Sequence, residues 1–207
     1  WDKTLKIWDA YTGAEIPTFL MGHATVVSGA AYNPDGSRIV SASDDKVLKV
    51  WDAHTGAKLL TLAGHTRAVS SAAYSPNGSR IVSGSWDKTL KIWDAYTGSL
   101  LLTLDGHKNW ITRVMYSPDG TRIISASGDK TLKIWDAYTG TELLTFEGHT
   151  GIVTGAAFSP DGTRIVSGSW DKTIKVWEAR TGSVLLTLKG HTSEVTGVSY
   201  NPDGSHI

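Results

Sequence analysis

The sequence predicts an all-β protein, a propeller of four-stranded antiparallel blades. The first observation is a repeat of 42 residues. Gly-His recurs at Gly22-His23, Gly64-His65, Gly106-His107, Gly148-His149 and Gly190-His191, and a tryptophan followed by an acid lies 28 residues after each of the first four histidines. The second is that each repeat divides into four β-type runs separated by turn residues, and none has a helical period. The third is the strictness of the repeat, which selects a propeller over a sandwich or barrel. A unit this small buries its faces only by stacking on copies of itself.

One repeat justifies its elements in order. Ala68 to Tyr74 is a run of small and apolar residues, and Ser75-Pro76-Asn77-Gly78 ends it. Proline presets φ there and glycine accepts a positive φ. Arg80 to Ser85 is the second strand, and Trp86-Asp87-Lys88 breaks it. Thr89 to Asp94 alternates, with Leu90 and Ile92 on one face and Lys91 and Trp93 on the other. Tyr96-Thr97-Gly98 turns the chain into the last strand, Leu100 to Leu104. The blades are expected at 22–63, 64–105, 106–147 and 148–189, with partial blades at 1–21 and 190–207.

The composition narrows the function. The 20 basic and 20 acidic residues give a net charge of zero, so no basic stripe points to nucleic acid or to a membrane surface. There are no cysteines, which excludes disulfides and thiolate sites and fits a cytoplasmic protein. No apolar run is long enough to span a membrane, and no signal peptide is expected. The chain begins at Trp1 and stops at Ile207, both in mid-motif, so it is expected to be a piece of a longer array.

The pattern from Gly64-His65 through Ser75-Pro76-Asn77-Gly78 and Ser83-Gly84-Ser85 to Asp87-Lys88-Thr89-Leu90-Lys91-Ile92-Trp93-Asp94 resembles the WD40 family. The resemblance covers the whole chain and recurs four to five times. It implies a β-propeller used mainly as a platform for partner proteins. It also implies a buried hydrogen-bond network in each blade, formed by His23, Ser41, Asp45 and Trp51; His65, Ser83, Asp87 and Trp93; His107, Ser125, Asp129 and Trp135; and His149, Ser167, Asp171 and Trp177. The serine assignment has an alternative two residues on, at Ser43, Ser85, Ser127 and Ser169. A catalytic triad needs one asymmetric pocket, so four equal copies read as scaffold and no catalytic residue is assigned. No metal is assigned either, because the histidines occur singly and the Asp-Gly turns lack the acids of a Ca²⁺ loop. No cofactor motif is present.

Function is therefore expected where the copies differ. Trp1, Trp86 and Trp170 precede the turn aspartate, where other copies have Asp44 and Gly128. Trp110 stands where other copies have Val26, Ala68, Ile152 and Glu194. With Arg67, Lys108, Asn109 and Arg113 they make a candidate partner-binding face near the channel mouth. The competing reading is that each indole covers its own hairpin.

The main expectation is a non-catalytic scaffold for a protein or peptide. A self-assembling repeat protein with blades completed by another chain, and a small-molecule or glycan sensor, are the alternatives. Three arrangements of the ends follow. A five-bladed ring would complete His191 with Asp2 and Trp8; the others are a slice of a larger propeller and a ring assembled from several chains.

Overall fold

A computed structural model describes residues 5–20 and 22–207. The described residues form strands and no helix. A hairpin of β1 (Leu5–Trp8) and β2 (Glu15–Leu20) comes first. Four four-stranded antiparallel sheets follow. The first holds β3 (Val27–Tyr32), β4 (Arg38–Ser43), β5 (Val47–Asp52) and β6 (Lys58–Ala63). The second holds β7 (Val69–Tyr74), β8 (Arg80–Ser85), β9 (Leu90–Asp94) and β10 (Leu100–Leu104). The third holds β11 (Ile111–Tyr116), β12 (Arg122–Ser127), β13 (Leu132–Asp136) and β14 (Glu142–Phe146). The fourth holds β15 (Val153–Phe158), β16 (Arg164–Ser169), β17 (Ile174–Glu178) and β18 (Val184–Leu188). Within each sheet the strands pair in sequence order, so every connection is a hairpin. No helix among the described residues is long and apolar enough to cross a membrane.

Turn chemistry sets the strand ends. Gly78 takes φ 71° and closes the first turn of its blade with a bond from its N–H to the Ser75 carbonyl. The second turn differs. Lys46, Lys88, Lys130 and Lys172 all adopt φ between 69° and 74°, a left-handed conformation unusual for a residue with a Cβ. The preceding aspartate holds that turn by accepting from the backbone two residues on, as from Thr89 N at 3.0 Å.

The core lies between sheets. Val40, Ala42, Leu48, Val50 and Leu62 of the first sheet cluster with Val69, Tyr74, Ile81, Trp93 and Ala95 of the second. The same arrangement joins the second sheet to the third and the third to the fourth. The two middle strands of a blade are thus buried on both faces, and even Lys91 is covered. Its stem lies along the sheet while its ammonium reaches Thr103 Oγ1 at 2.9 Å. Hydrogen bonds also cross each seam, as from Ser70 Oγ to the Ile111 carbonyl at 2.6 Å and from Thr112 Oγ1 to the Val153 carbonyl at 2.6 Å.

The inner strand expected over Val195 to Tyr200 does not form. A strand needs a ladder partner, and none of the described residues supplies one. The segment instead docks on the fourth sheet: Val195 is buried, its N–H reaches the Ser169 carbonyl at 3.1 Å, and its carbonyl accepts from Thr154 Oγ1. Trp8 holds the same strand position as the four buried tryptophans, yet it is 56% exposed. His191 is also exposed, and Asp2 lies outside the described residues. Leu188 is exposed, whereas Phe146, Leu104 and Leu62, at the same position one, two and three repeats earlier, are buried by the following blade.

Candidate functional site

Each of the four sheets contains one Asp–His–Ser–Trp chain. The histidine follows a glycine in the loop that enters the blade. A Cβ on Gly106 would lie 3.0 Å from Cη2 of Trp135, so the indole requires a bare backbone there. His23, His65, His107 and His149 place Nδ1 2.9, 2.8, 2.7 and 2.7 Å from Oδ2 of Asp45, Asp87, Asp129 and Asp171. Their Nε2 atoms lie 2.7, 2.8, 2.7 and 2.8 Å from Oγ of Ser41, Ser83, Ser125 and Ser167. The same hydroxyls accept from Nε1 of Trp51, Trp93, Trp135 and Trp177 at 2.8, 2.9, 2.8 and 2.8 Å. One proton arrangement satisfies the chain. The indole donates to serine, serine donates to Nε2, and Nδ1–H donates to an ionised aspartate.

The serine two residues on has a different environment. Ser85 Oγ donates to the Ala68 carbonyl at 2.8 Å and accepts from Asp87 N at 3.1 Å, so it ties two loops together. All eight serines are fully buried. A hydroxyl sealed under an indole cannot reach a substrate, so this Ser–His–Asp geometry is closed to acyl transfer. No group of three or more His, Asp or Glu among the described residues could hold a metal ion.

Burial pushes the His23 and His149 imidazoles below their ordinary pKa, against the opposing pull of Asp45 and Asp171. Burial also works against the turn carboxylates, but hydrogen bonds outweigh it. Those bonds, from His65 and Thr89, His107 and Thr131, and Thr173 and His149, hold Asp87, Asp129 and Asp171 well below the carboxylate range. Asp45 is lowered too, with Val47 in place of the threonine that donates a side-chain bond in the other blades. The signs agree. Below about pH 6.5 the unfolded chain takes up protons that buried histidines refuse, and below about pH 4 its carboxylates do the same. The melting temperature is expected to hold above pH 7, fall as the pH drops from about 6.5 to 5, and fall again below about 4. Calorimetry across this range checks it; a flat response between pH 7 and 5 would contradict the histidine contribution.

The residues that differ between copies fall into separate places. Trp86 is 50% exposed, Trp110 36% and Trp170 50%. Trp86 and Trp110, from neighbouring blades, have ring centroids 6.0 Å apart at 34°. They line an open cleft of about 470 Å³ with Lys46, Thr66, Arg67 and Ala68. Trp110 also lies over Gly128 of its own blade, where a Cβ would be 2.9 Å from Cε2, so it covers its hairpin and faces the cleft at once. Among the described residues Trp170 has no aromatic neighbour of this kind, and Trp1 lies outside them.

The other expected neighbours do not join this group. Lys108 lines a different groove, with Asp129, Lys133 and Glu147. Asn109 turns into its own blade, accepting from Trp110 N at 2.9 Å. Arg113 sits on β11 and lines a cavity with Met115, Thr154 and Ala156, because the strand carries it away from the loop that holds Trp110. Lys46 lines the cleft, although lysine recurs at its position in every copy as a turn residue. The Tyr-Thr-Gly turns also gain a role. The Tyr96 and Tyr138 rings pack on Arg38 and Arg80 of the preceding blade, at 5.2 and 5.0 Å. Each guanidinium also donates to a carbonyl beside its tyrosine, Ala95 O at 3.1 Å and Ala137 O at 2.9 Å.

Repeated four-stranded blades, each fastened by the same buried polar chain and stacked face to face, define the class as a repeat protein of β-propeller architecture. The WD domain, G-beta repeat model matches residues 14–52, 56–94, 98–136, 140–178 and 182–207, and the chain belongs to the WD40 family. Repeats of this family generally mediate protein–protein interaction. No curated protein matches the chain.

Proposed function

We propose that the chain is a non-catalytic scaffold that binds a protein or peptide through its tryptophan-bearing loops. The observation that carries this reading is the placement of Trp86, Trp110 and Trp170, each at least 36% exposed, on loops whose scaffold neighbours are buried. Tryptophan and arginine at an exposed cleft are the composition of interaction hot spots. A net charge of zero favours such a partner over nucleic acid or an anionic membrane.

A phage-displayed library of random dodecapeptides tests it. The baits are the wild-type chain and a variant carrying Trp86→Ala, Trp110→Ala and Trp170→Ala, with melting curves recorded for both. Peptides enriched on the wild type are expected to lose at least about tenfold in affinity on the folded variant. Equal binding to both would remove the tryptophan face from the function.

A further inference from the structure

We infer that the cleft between Trp86 and Trp110 takes an acidic segment with a flat apolar anchor, an aromatic or proline side chain flanked by carboxylates. The inference rests on the partner-binding reading and narrows it to one seam and one chemistry.

The seam is singular in a molecule that otherwise repeats. Trp86 precedes the turn aspartate of its blade and Trp110 is the last loop residue of the next, and the repeat gives every seam the same two positions. The four pairs are Asp44 with Ala68, Trp86 with Trp110, Gly128 with Ile152, and Trp170 with Glu194. One seam of the four therefore presents two indoles. Their tilt leaves an apolar wedge, and the cleft volume of about 470 Å³ is that of a small-ligand cleft. A flat side chain fills such a wedge with little rotamer entropy to lose.

Charge decides what flanks the anchor. Lys46 and Arg67 both line the cleft and are exposed, and neither side chain has a hydrogen-bond or ion-pair partner among the described residues. The nearest turn carboxylates are already engaged. Asp45 and Asp87 direct Oδ2 to His23 and His65 and accept from the backbone N–H of Ala24 at 3.0 Å and of Thr66 at 2.9 Å. Asp44 is exposed on the same turn but does not line the cleft. The charged side chains that line the cleft are both basic. A cationic anchor, which two indoles alone would accept, meets Lys46 and Arg67 instead.

The probe is a capped peptide with Phe-Pro at its centre and three glutamates on each side. One twin has lysine for glutamate, and another has Gly-Gly for Phe-Pro. Affinity is read by fluorescence anisotropy and location by the indole N–H resonances. The acidic peptide is expected to bind at least about tenfold tighter than either twin and to shift the Trp86 and Trp110 signals. Trp86→Ala and Arg67→Glu, both at exposed positions, are each expected to weaken it about tenfold, and Trp170→Ala to leave it unchanged. No binding of the acidic peptide, equal binding of the lysine twin, or an equal loss with Trp170→Ala overturns the inference. Library peptides that lack acids yet depend on the three tryptophans would overturn it too, while leaving the broader reading intact.

Discussion

Ser125→Ala is expected to destabilise the protein by about 2–6 kcal/mol, because one deleted hydroxyl leaves two buried groups unpaired at about 1–3 kcal/mol each. Those groups are Nε1–H of Trp135 and Nε2 of His107, which lie 2.8 and 2.7 Å from Ser125 Oγ. In a domain of this size the loss corresponds to a fall of about 5–20 °C in melting temperature. Ser127→Ala is the control. It removes the same atom from an equally buried residue. The Ser127 hydroxyl accepts from Asp129 N at 3.1 Å and lies 3.2 Å from the carbonyl of Asn109, a half-buried residue, while the Trp110 carbonyl it reaches at 2.9 Å keeps its bond from Gly128 N. One orphan remains, so about half the loss is expected. Adding Trp135→Phe to Ser125→Ala should cost less than the sum of the two, since it removes the indole donor that Ser125→Ala strands. Equal losses for the two serines, with strict additivity, would mean that burial and not the polar chain holds the blade.

Much of this was legible in the chain because repetition places each residue type in the same environment several times. The strand divisions follow from the turn residues at fixed offsets. The polar chain follows from His65, Ser83, Asp87 and Trp93 recurring together. What was hidden is whatever one repeat does to its neighbour. Lys91 and Trp93 look outward in an alternating strand, yet both are buried, Trp93 against the preceding sheet. Arg38 and Tyr96 are far apart in sequence, and their stacking depends on how two blades sit. Trp86 and Trp110 meet for the same reason, and no feature of either blade alone announces the contact. Trp8 repeats the motif of Trp51 but lacks the surroundings, so it remains exposed. Local pattern carries the blade, whereas the candidate site belongs to the seam.

The seam itself is keyed by size, and Gly84→Ala is expected to show it. Positions 42, 84, 126 and 168 read Ala, Gly, Ala, Gly. The matching pairs in the next repeat are Val69 and Ala72, Ile111 and Val114, Val153 and Ala156, and Val195 and Val198. Ala42 shares a core cluster with Val69 and Ala72, and Ala126 with Val153 and Ala156. Glycine thus stands where the bulkier pair arrives. A Cβ on Gly84 would lie 2.4 Å from Cγ2 of Ile111 and 2.8 Å from Cγ1 of Val114. On Gly168 it would lie 2.6 Å from Cγ1 of Val195. Alanine in a strand normally gains about 0.5–1 kcal/mol over glycine. Overpacking here costs about 1–3 kcal/mol and wins. Ile111→Val with Val114→Ala, which copies the Val69 and Ala72 pair, should restore most of the stability of Gly84→Ala. A melting temperature for Gly84→Ala at or above wild type, or no rescue, would refute the matching. The same substitution reaches the binding face. Trp86 follows Gly84 by two residues and Trp110 directly precedes Ile111, so the packing of Gly84 on Ile111 holds the two indoles 6.0 Å apart. Gly84→Ala should therefore weaken the acidic peptide at the cleft even where the blade remains folded, and the rescuing pair should recover both properties together.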